Sequence, residues 1–301
     1  MLDRCWSPLE MDIFIIIQTI VNGLLMGGVY AVVAVGLTLI FGVMNVVNFA
    51  HGEFVMLGMV LTYLIHLFLG LDPGVAILLV IPIMFAVGAF IQKTLISRVV
   101  GQPDEAQILL TLGLSVLLTN VVLLFLGPDY HSVKTAYRLS VWDIGPIILP
   151  VPRAIAFIVA MAFSGLLWAF LTRTDLGKGL RAVAEKPEVA ILMGINPRKM
   201  HWVAFGIGIA MAAGAGAVIT PFFYTFPSVG GMFVLTAFVV VVLGGMGNIP
   251  GAILGALVIG VTESLSSQFL ALDLAMLGVF IIFVFVLVFK PTGILGKGKA
   301  Y

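Results

Sequence analysis

An all-α, polytopic membrane helix bundle of about 8–9 transmembrane segments is predicted for this chain by three features. Of 301 residues, 61% are hydrophobic and 10% charged, the mean hydropathy is +1.22, and the apolar residues gather in long runs. A soluble globule carries about 25% charged residues, so this chain has too little polar surface to cover itself in water. Neither strand alternation nor loop spacing points to a barrel, and only helices otherwise satisfy their own backbone in lipid.

A crossing takes about 20 mostly apolar residues over ~30 Å of hydrocarbon. The candidate runs are 13–41, 54–71, 75–92, 108–127, 154–171, 202–222, 232–243, 251–270 and 275–289. The first is too long and the seventh too short for simple crossings, so broken or re-entrant helices are expected. The first run follows a segment whose only basic residue is Arg4, exceeds a signal-peptide core and lacks a small-residue cleavage pattern, so it is read as an uncleaved span. A lone cysteine, Cys5, leaves no internal disulfide and no cysteine metal cluster. A net charge of +1 leaves no nucleic-acid footprint.

Segments 93–107, 172–200 and 290–301 hold two, six and three Lys/Arg, eleven of the fifteen in the chain. The positive-inside rule makes these three segments cytoplasmic. The C-terminus is then inside, and the N-terminus is expected outside. Small residues recur every fourth position at Gly23 and Gly27, at Ala210 and Gly214, and at Ala252, Ala256 and Gly260. In lipid such faces let helices approach backbone to backbone.

Polar residues interrupt the apolar pattern at NFAHGE, residues 48–53, with Asn45 just upstream. A second interruption, residues 244–250, falls at an equivalent place, and GEFVMLGMV (52–60) loosely matches GAILGALVIG (251–260). Paired helix interruptions mark transport sites, because unwound ends offer backbone donors and acceptors to a solute. Ionisable groups at membrane depth cost roughly 2.5–3.5 kcal/mol each, so His51 and Glu53 face a cavity or a partner. Two roles stay open for them: lining a pathway, or latching the break by hydrogen-bonding its own backbone, the second being the commoner use of such residues. The same choice applies to Glu263, alone in the eighth run.

Enzymatic readings fail. His51-Gly52-Glu53 matches half of a zinc-deaminase signature, but one cysteine cannot supply the rest. No H-E-x-x-H occurs. GILGKGK (293–299) has the spacing of a phosphate loop, yet Ala300 stands where Ser/Thr would bind Mg²⁺ and no helix follows, so it is read as a basic tail.

The hydrophilic stretch GKGLRAVAEKPEVAILMGINPRKM, residues 177–200, contains a helix of about two turns over 187–193. Pro187 and Glu188 suit its first turn, Gly194 a left-handed stop, and Pro197 forbids continuation. Its apolar side chains lie among Arg181, Lys186, Arg198 and Lys199, as expected of a peg received by a groove on another protein, or of a helix resting on the membrane or on this bundle.

YAVVAVGLTLIFGVMNVVNFAHGEFVMLG (30–58) resembles the LivH-type permeases, membrane subunits of bacterial ABC importers for branched-chain amino acids. So do LRAVAEKPEVAILMGINPRKM (180–200), AFGIGIAMAAGAGAV (204–218) and AFVVVVLGGMGNIPGAILGALVIG (237–260). The resemblance runs from about residue 13 to 295. It implies a single permease domain in the bacterial inner membrane, with 172–200 as its cytoplasmic coupling loop. The family's E-A-A start is altered here to Ala184-Glu185-Lys186, while Gly194 holds the glycine place. It further implies partners: a second homologous permease subunit, two ABC ATPase subunits, a periplasmic solute-binding protein and membrane lipid. This chain is expected to bind no cofactor itself, with ATP and Mg²⁺ held on the partner ATPases. By position, Arg181, Lys186, Glu188, Met193 and Gly194 are the candidates for ATPase coupling. Asn45, Asn48, His51, Glu53, Pro221, Tyr224 and Gly245 are the candidates for the substrate pathway. Urea or short-chain amides remain alternative substrates, and a self-contained transporter or channel and a membrane anchor remain alternative functions.

Overall fold

A computed structural model describes residues 8–145, 147–270 and 274–296. Arg4, Cys5, the turn at 271–273 and the tail from Lys297 to Tyr301 lie outside them. Eleven α-helices are present among the described residues. They are α1 (Pro8–Met44), α2 (His51–Leu69), α3 (Pro73–Thr94), α4 (Asp104–Leu126), α5 (Val151–Arg173) and α6 (Asp175–Glu185), followed by α7 (Pro187–Leu192), α8 (Pro197–Ile219), α9 (Val229–Gly244), α10 (Ile249–Phe269) and α11 (Ala275–Phe289). Seven are long and apolar enough to cross a membrane, and α9 and α11 are shorter apolar helices. Together they account for the nine runs. The described residues also include a short antiparallel hairpin, β1 (Val141–Ile144) with β2 (Ile147–Pro150), pairing Val141 with Pro150. It is too brief to leave an alternating pattern in the sequence.

Helix boundaries follow local chemistry. Asp72 accepts from the Gly74 amide (2.8 Å) ahead of Pro73 in α3, Thr174 from Gly177 (3.0 Å) ahead of α6, and Asn248 from Gly251 (3.1 Å) ahead of α10. Each occupies an otherwise orphaned amide of a helix's first turn. Pro82 lies inside α3, where lipid-facing helices tolerate it.

Helices α1 and α8 form the centre, 83% and 78% buried over their apolar windows, whereas α4 is 17% buried and stands at the rim. Two of the predicted small-residue faces meet each other. A Cβ on Gly23 would lie 2.6 Å from the Val261 Cα, and one on Gly27 2.9 Å from the Ala256 oxygen, so α1 and α10 touch along their backbones. The third expectation is corrected. Ala210 and Gly214 are buried, but a Cβ on Gly214 would meet only Phe163 and Ile81 side chains at 3.7 Å or more. On α8 the close approaches are instead at Gly208, against Gly36, and at Ala213 and Gly216, against α2. Spacing alone left two faces of this glycine- and alanine-rich helix equally eligible.

The three Lys/Arg-rich segments gather at one end of the bundle, called the charged end, and the short turns without Lys or Arg at 71–74 and 225–231 lie at the other, called the uncharged end although Asp72 and Arg138 stand there. At the uncharged end, Gln18 exchanges hydrogen bonds with the Ile148 backbone (2.8 and 2.9 Å), His131 bridges Thr225 through both backbone groups, and Tyr137 donates to Asp72 (3.0 Å). Burial and then the Asp72 carboxylate push the Tyr137 phenol up to about 12. Because that value stands above the ordinary ~10, the contact's contribution is complete below about pH 10 and is lost as the phenol ionises. Asp72→Asn is expected to bring the phenolate titration part of the way back toward ~10, burial remaining. Phenolate absorbance compared with Tyr137→Phe measures this, and an unmoved titration would show that the contact plays no part.

Candidate functional site

The break after α1 is a return into the membrane rather than a loop at its surface. His51, the first residue of α2, brings Nε2 to 3.0 Å from the carbonyl oxygen of Val33. A carbonyl only accepts, so Nε2 carries the proton and the ring is the Nε2–H tautomer. Val33 lies three turns before the end of α1, ~16 Å back along the axis. Residues 45–50 therefore climb back inside the bundle, and α2 starts well within it. The Asn48 side chain accepts from the Ala50 amide (3.2 Å), turning the chain into α2. Asn45, at φ 51°, is the only described non-glycine residue with a left-handed backbone, a conformation asparagine tolerates better than most residues.

The first turn of α9 meets the first turn of α2. A Cβ on Gly52 would overlap the Gly230 carbonyl, and one on Gly230 would overlap the Glu53 carboxylate. Both helices thus begin inside the bundle, back to back, and their positive dipole ends converge on a carboxylate that is 5% exposed. Ser115 of α4 donates to Glu53 Oε1 (3.0 Å), and Thr111 of α4 donates to the Val47 carbonyl (3.3 Å). Glu53 is therefore what ties the rim helix α4 to the centre. Thr119 of α4 stands beside Ser115 against the same carboxylate, whereas Asn48 Nδ2 and His51 Nδ1 are buried without a hydrogen bond among the described residues.

The second interruption lies directly beside the first. A Cβ on Gly42 would sit 3.2 Å from the Gly247 Cα. Gly245 and Gly247 both take left-handed backbone, φ 101° and 81°, which carries the chain from α9 into α10. The segment after α11 straps this turn. The amides of Ile294 and Leu295 donate to the carbonyls of Leu243 and Gly244 (2.7 and 3.3 Å), and Asn248 Nδ2 donates to the Leu295 oxygen (2.6 Å). These bonds satisfy carbonyls that the end of α9 would otherwise leave bare.

Between the two interruptions, α5 and α6, a chamber of about 830 Å³ opens at the charged end. Asn45 and Gly247 come to it from the breaks, Arg181 and Glu185 from α6, Trp168 from α5 and Thr292 from the strap. Beyond it, α7 projects from the charged end. It ends where Gly194 takes φ 79°, as the sequence predicts, with Met193 as the cap rather than a helical residue. Val189, Ile191, Leu192 and Met193 are 50%, 57%, 85% and 77% exposed, while Ala190 alone is buried against the fold.

The structure divides the sequence-predicted residues into separate groups. Arg181, Lys186, Glu188, Met193 and Gly194 are all exposed and contiguous at the charged end. Asn45 lines the chamber, and Gly245 packs beneath the strap against Gly296. Asn48, His51 and Glu53 form the buried junction of α2, α4 and α9. Pro221 is buried at the uncharged end, where Tyr224 stands edge-on to Tyr130 at 6.2 Å, 5.9 Å from the Arg138 guanidinium. The seven expected pathway residues thus do not share one surface; they lie at three levels of the bundle. Glu263 hydrogen-bonds the buried Tyr30 hydroxyl, linking α10 to α1. Sequence reading missed Ser115, Trp168, Asn248 and Thr292. Only Asn248 carried a signal, the Asn-x-Pro start of a helix.

A multi-span bundle with two adjoining helix interruptions and a chamber between them has the architecture of a membrane permease. The chain belongs to the family described as branched-chain amino acid transport system / permease component, whose model matches residues 19–289. It is 32% identical over 295 residues to the high-affinity branched-chain amino acid transport system permease protein LivH of Escherichia coli (strain K12), covering 93% of this chain and 96% of that one. It is 29% identical to BraD of Pseudomonas aeruginosa, of the same description, covering 95% and 97%. A shorter match, 32% over 132 residues, is to LivM, another permease protein of the E. coli system, covering 42% of this chain and 29% of that one. No solved structure matches it.

Proposed function

We propose that this chain forms the translocation pathway of an inner-membrane ABC importer for branched-chain amino acids and is driven by two partner ATPases that hold ATP and Mg²⁺. The single observation that carries this reading is α7. Four apolar side chains stand bare on a two-turn helix at the charged end, joined through α6 to the chamber between the helix breaks. An apolar peg with a charged rim is the shape that a groove on another protein receives. ATP-dependent closure of the ATPases then moves α6 and α7 against the breaks and exchanges inward- and outward-facing states.

The partial likeness to LivM supports a second, related permease subunit beside this one. A periplasmic binding protein would deliver solute at the uncharged end, where Tyr130, Tyr224 and Phe226 gather around the Thr225 bridge. Relatives named for branched-chain amino acids favour that substrate over urea or a short amide. Lys186, Glu188, Met193 and Gly194 form the ATPase contact, while Arg181, expected there by position, faces the chamber instead. Asn45 and Gly245 belong to the inner mouth, Pro221 and Tyr224 to the outer one. Asn48, His51 and Glu53 stand between, first as a latch holding α2, α4 and α9 together and, at the unpartnered edges of Asn48 and His51, as the polar point that solute passes.

Uptake of labelled leucine against labelled urea in proteoliposomes carrying the assembled system tests this reading. ATP-dependent leucine uptake is expected, and removal of any ATPase subunit should abolish it. Uptake by this chain alone, blocked by an uncoupler and indifferent to ATP, would overturn the reading in favour of a proton-coupled transporter relaying through His51, Glu53 or Glu263.

A further inference from the structure

The chamber carries a charge arrangement that the coupling role does not explain. Arg181 and Glu185 are four residues apart on α6, and both line the chamber. That spacing allows an ion pair, in the less favourable order with the cation first. They do not pair: the one salt bridge among the described residues joins Lys178 to Asp175. Neither Arg181 nor Glu185 has a hydrogen-bonded counter-group among the described residues. The chamber therefore presents one guanidinium and one carboxylate a turn apart on α6, neither of them paired among the described residues.

The remaining surface is divided by type. Trp168 and Leu171 of α5 with Val242 of α9 and Met246 of the second break make an apolar wall. Asn45 lines the same chamber with an exposed side chain that has no hydrogen-bond partner among the described residues. Asn248, by contrast, spends its amide on the Leu295 carbonyl and the Gly251 amide. A volume of about 830 Å³ falls in the range of small-molecule pockets.

Resting on the amino-acid reading above, we propose that this chamber is a cytoplasmic-side recognition site for a zwitterionic α-amino acid with an apolar side chain. Arg181 takes the carboxylate through its planar fork, Glu185 takes the ammonium, and the side chain lies on the Trp168–Val242 wall. Selection works by rejection as much as by attraction. A plain carboxylic acid leaves Glu185 without a partner, and a plain amine leaves Arg181 without one. The site joins α6 to both helix breaks, so an amino acid bound there favours the arrangement in which the chamber is open. By linkage, amino acid accumulating inside opposes the ATP-driven change and brakes further import.

The test is equilibrium binding of labelled leucine to the purified assembled transporter without nucleotide or solute-binding protein. Unlabelled leucine, leucinamide and 4-methylpentanoate are the competitors. Wild type is expected to prefer leucine over both analogues by at least about tenfold, the discrimination one lost charge-assisted bond gives. Arg181→Gln should erase the preference over leucinamide while keeping that over 4-methylpentanoate; Glu185→Gln should do the reverse. A wild-type complex that binds leucine no better than its analogues, or that binds none of them, overturns the proposal. So do both variants with wild-type preferences. Should one variant fail to assemble, the other and the wild-type competition each decide. A system that imports urea but not leucine refutes the substrate reading itself, whereas leucine import with unaltered preferences refutes only this site.

Discussion

Replacing Leu192 and Met193 together by glutamate is expected to lower ATP-driven uptake at least about a hundredfold while leaving the membrane bundle intact. The magnitude follows from burial, since docking each large apolar side chain is worth about 1.5–3 kcal/mol. Two such losses, before any penalty for pressing a carboxylate into an apolar groove, come to a factor of roughly 10² or more. The fold is spared because these side chains are 85% and 77% exposed. Ala190→Asp makes the contrast within the same helix. Ala190 is 2% exposed, so a carboxylate there is expected to disturb the loop itself. Uptake, ATP hydrolysis and thermal unfolding of the Leu192/Met193 variant would be measured together. Full coupling in the double variant would show that α7 is not where force enters, and a collapsed melting transition would show that it is part of the core.

The comparison of α7 with the NFAHGE break shows what kind of information a sequence of this type displays. The peg was legible because everything that shapes it is local. Pro187 starts it, Gly194 stops it, and its apolar residues stand among charges. The break was legible as polar residues in an apolar chain, but its geometry was not. That His51 reaches back to Val33, that Glu53 is gripped by Ser115 of α4, and that Gly230 of α9 closes over Glu53 all depend on contacts between residues 18, 62 and 177 positions apart, respectively. No pattern along the chain encodes which serine in which span completes a carboxylate. The chamber was hidden for a related reason. Trp168 and Thr292 look like any span-end aromatic and any turn threonine until α5, α6 and the strap are placed around the two breaks. Nor could composition reveal that the pathway candidates separate into an inner mouth, a buried junction and an outer aromatic group, since all seven share the one property visible in sequence, polarity or helix-breaking character inside a greasy run.

Glycine substitutions provide the second large effect, and here the structure separates residues that look alike in sequence. Gly58→Leu is expected to abolish accumulation of folded protein, and Gly216→Leu to do the same. A Cβ on Gly58 would lie 2.5 Å from the Ala213 Cα and overlap the Ala213 carbonyl, and one on Gly216 would overlap the Val55 carbonyl. The obstacle in both cases is backbone. No rotamer change relieves it, and α2 and α8 must move apart along their shared seam. Because lipid tails are as apolar as leucine, nothing drives the separated helices back together once close packing is lost. Gly113→Leu and Gly165→Leu are the controls. Both residues lie in apolar membrane helices, α4 and α5, and a Cβ at either meets nothing within 4 Å. These variants are expected to fold and transport at close to wild-type levels. Size-exclusion profiles of tagged protein in detergent, with thermal unfolding of whatever is recovered, distinguish the two pairs. Equal yields from all four would mean that α2 and α8 do not cross at Gly58 and Gly216.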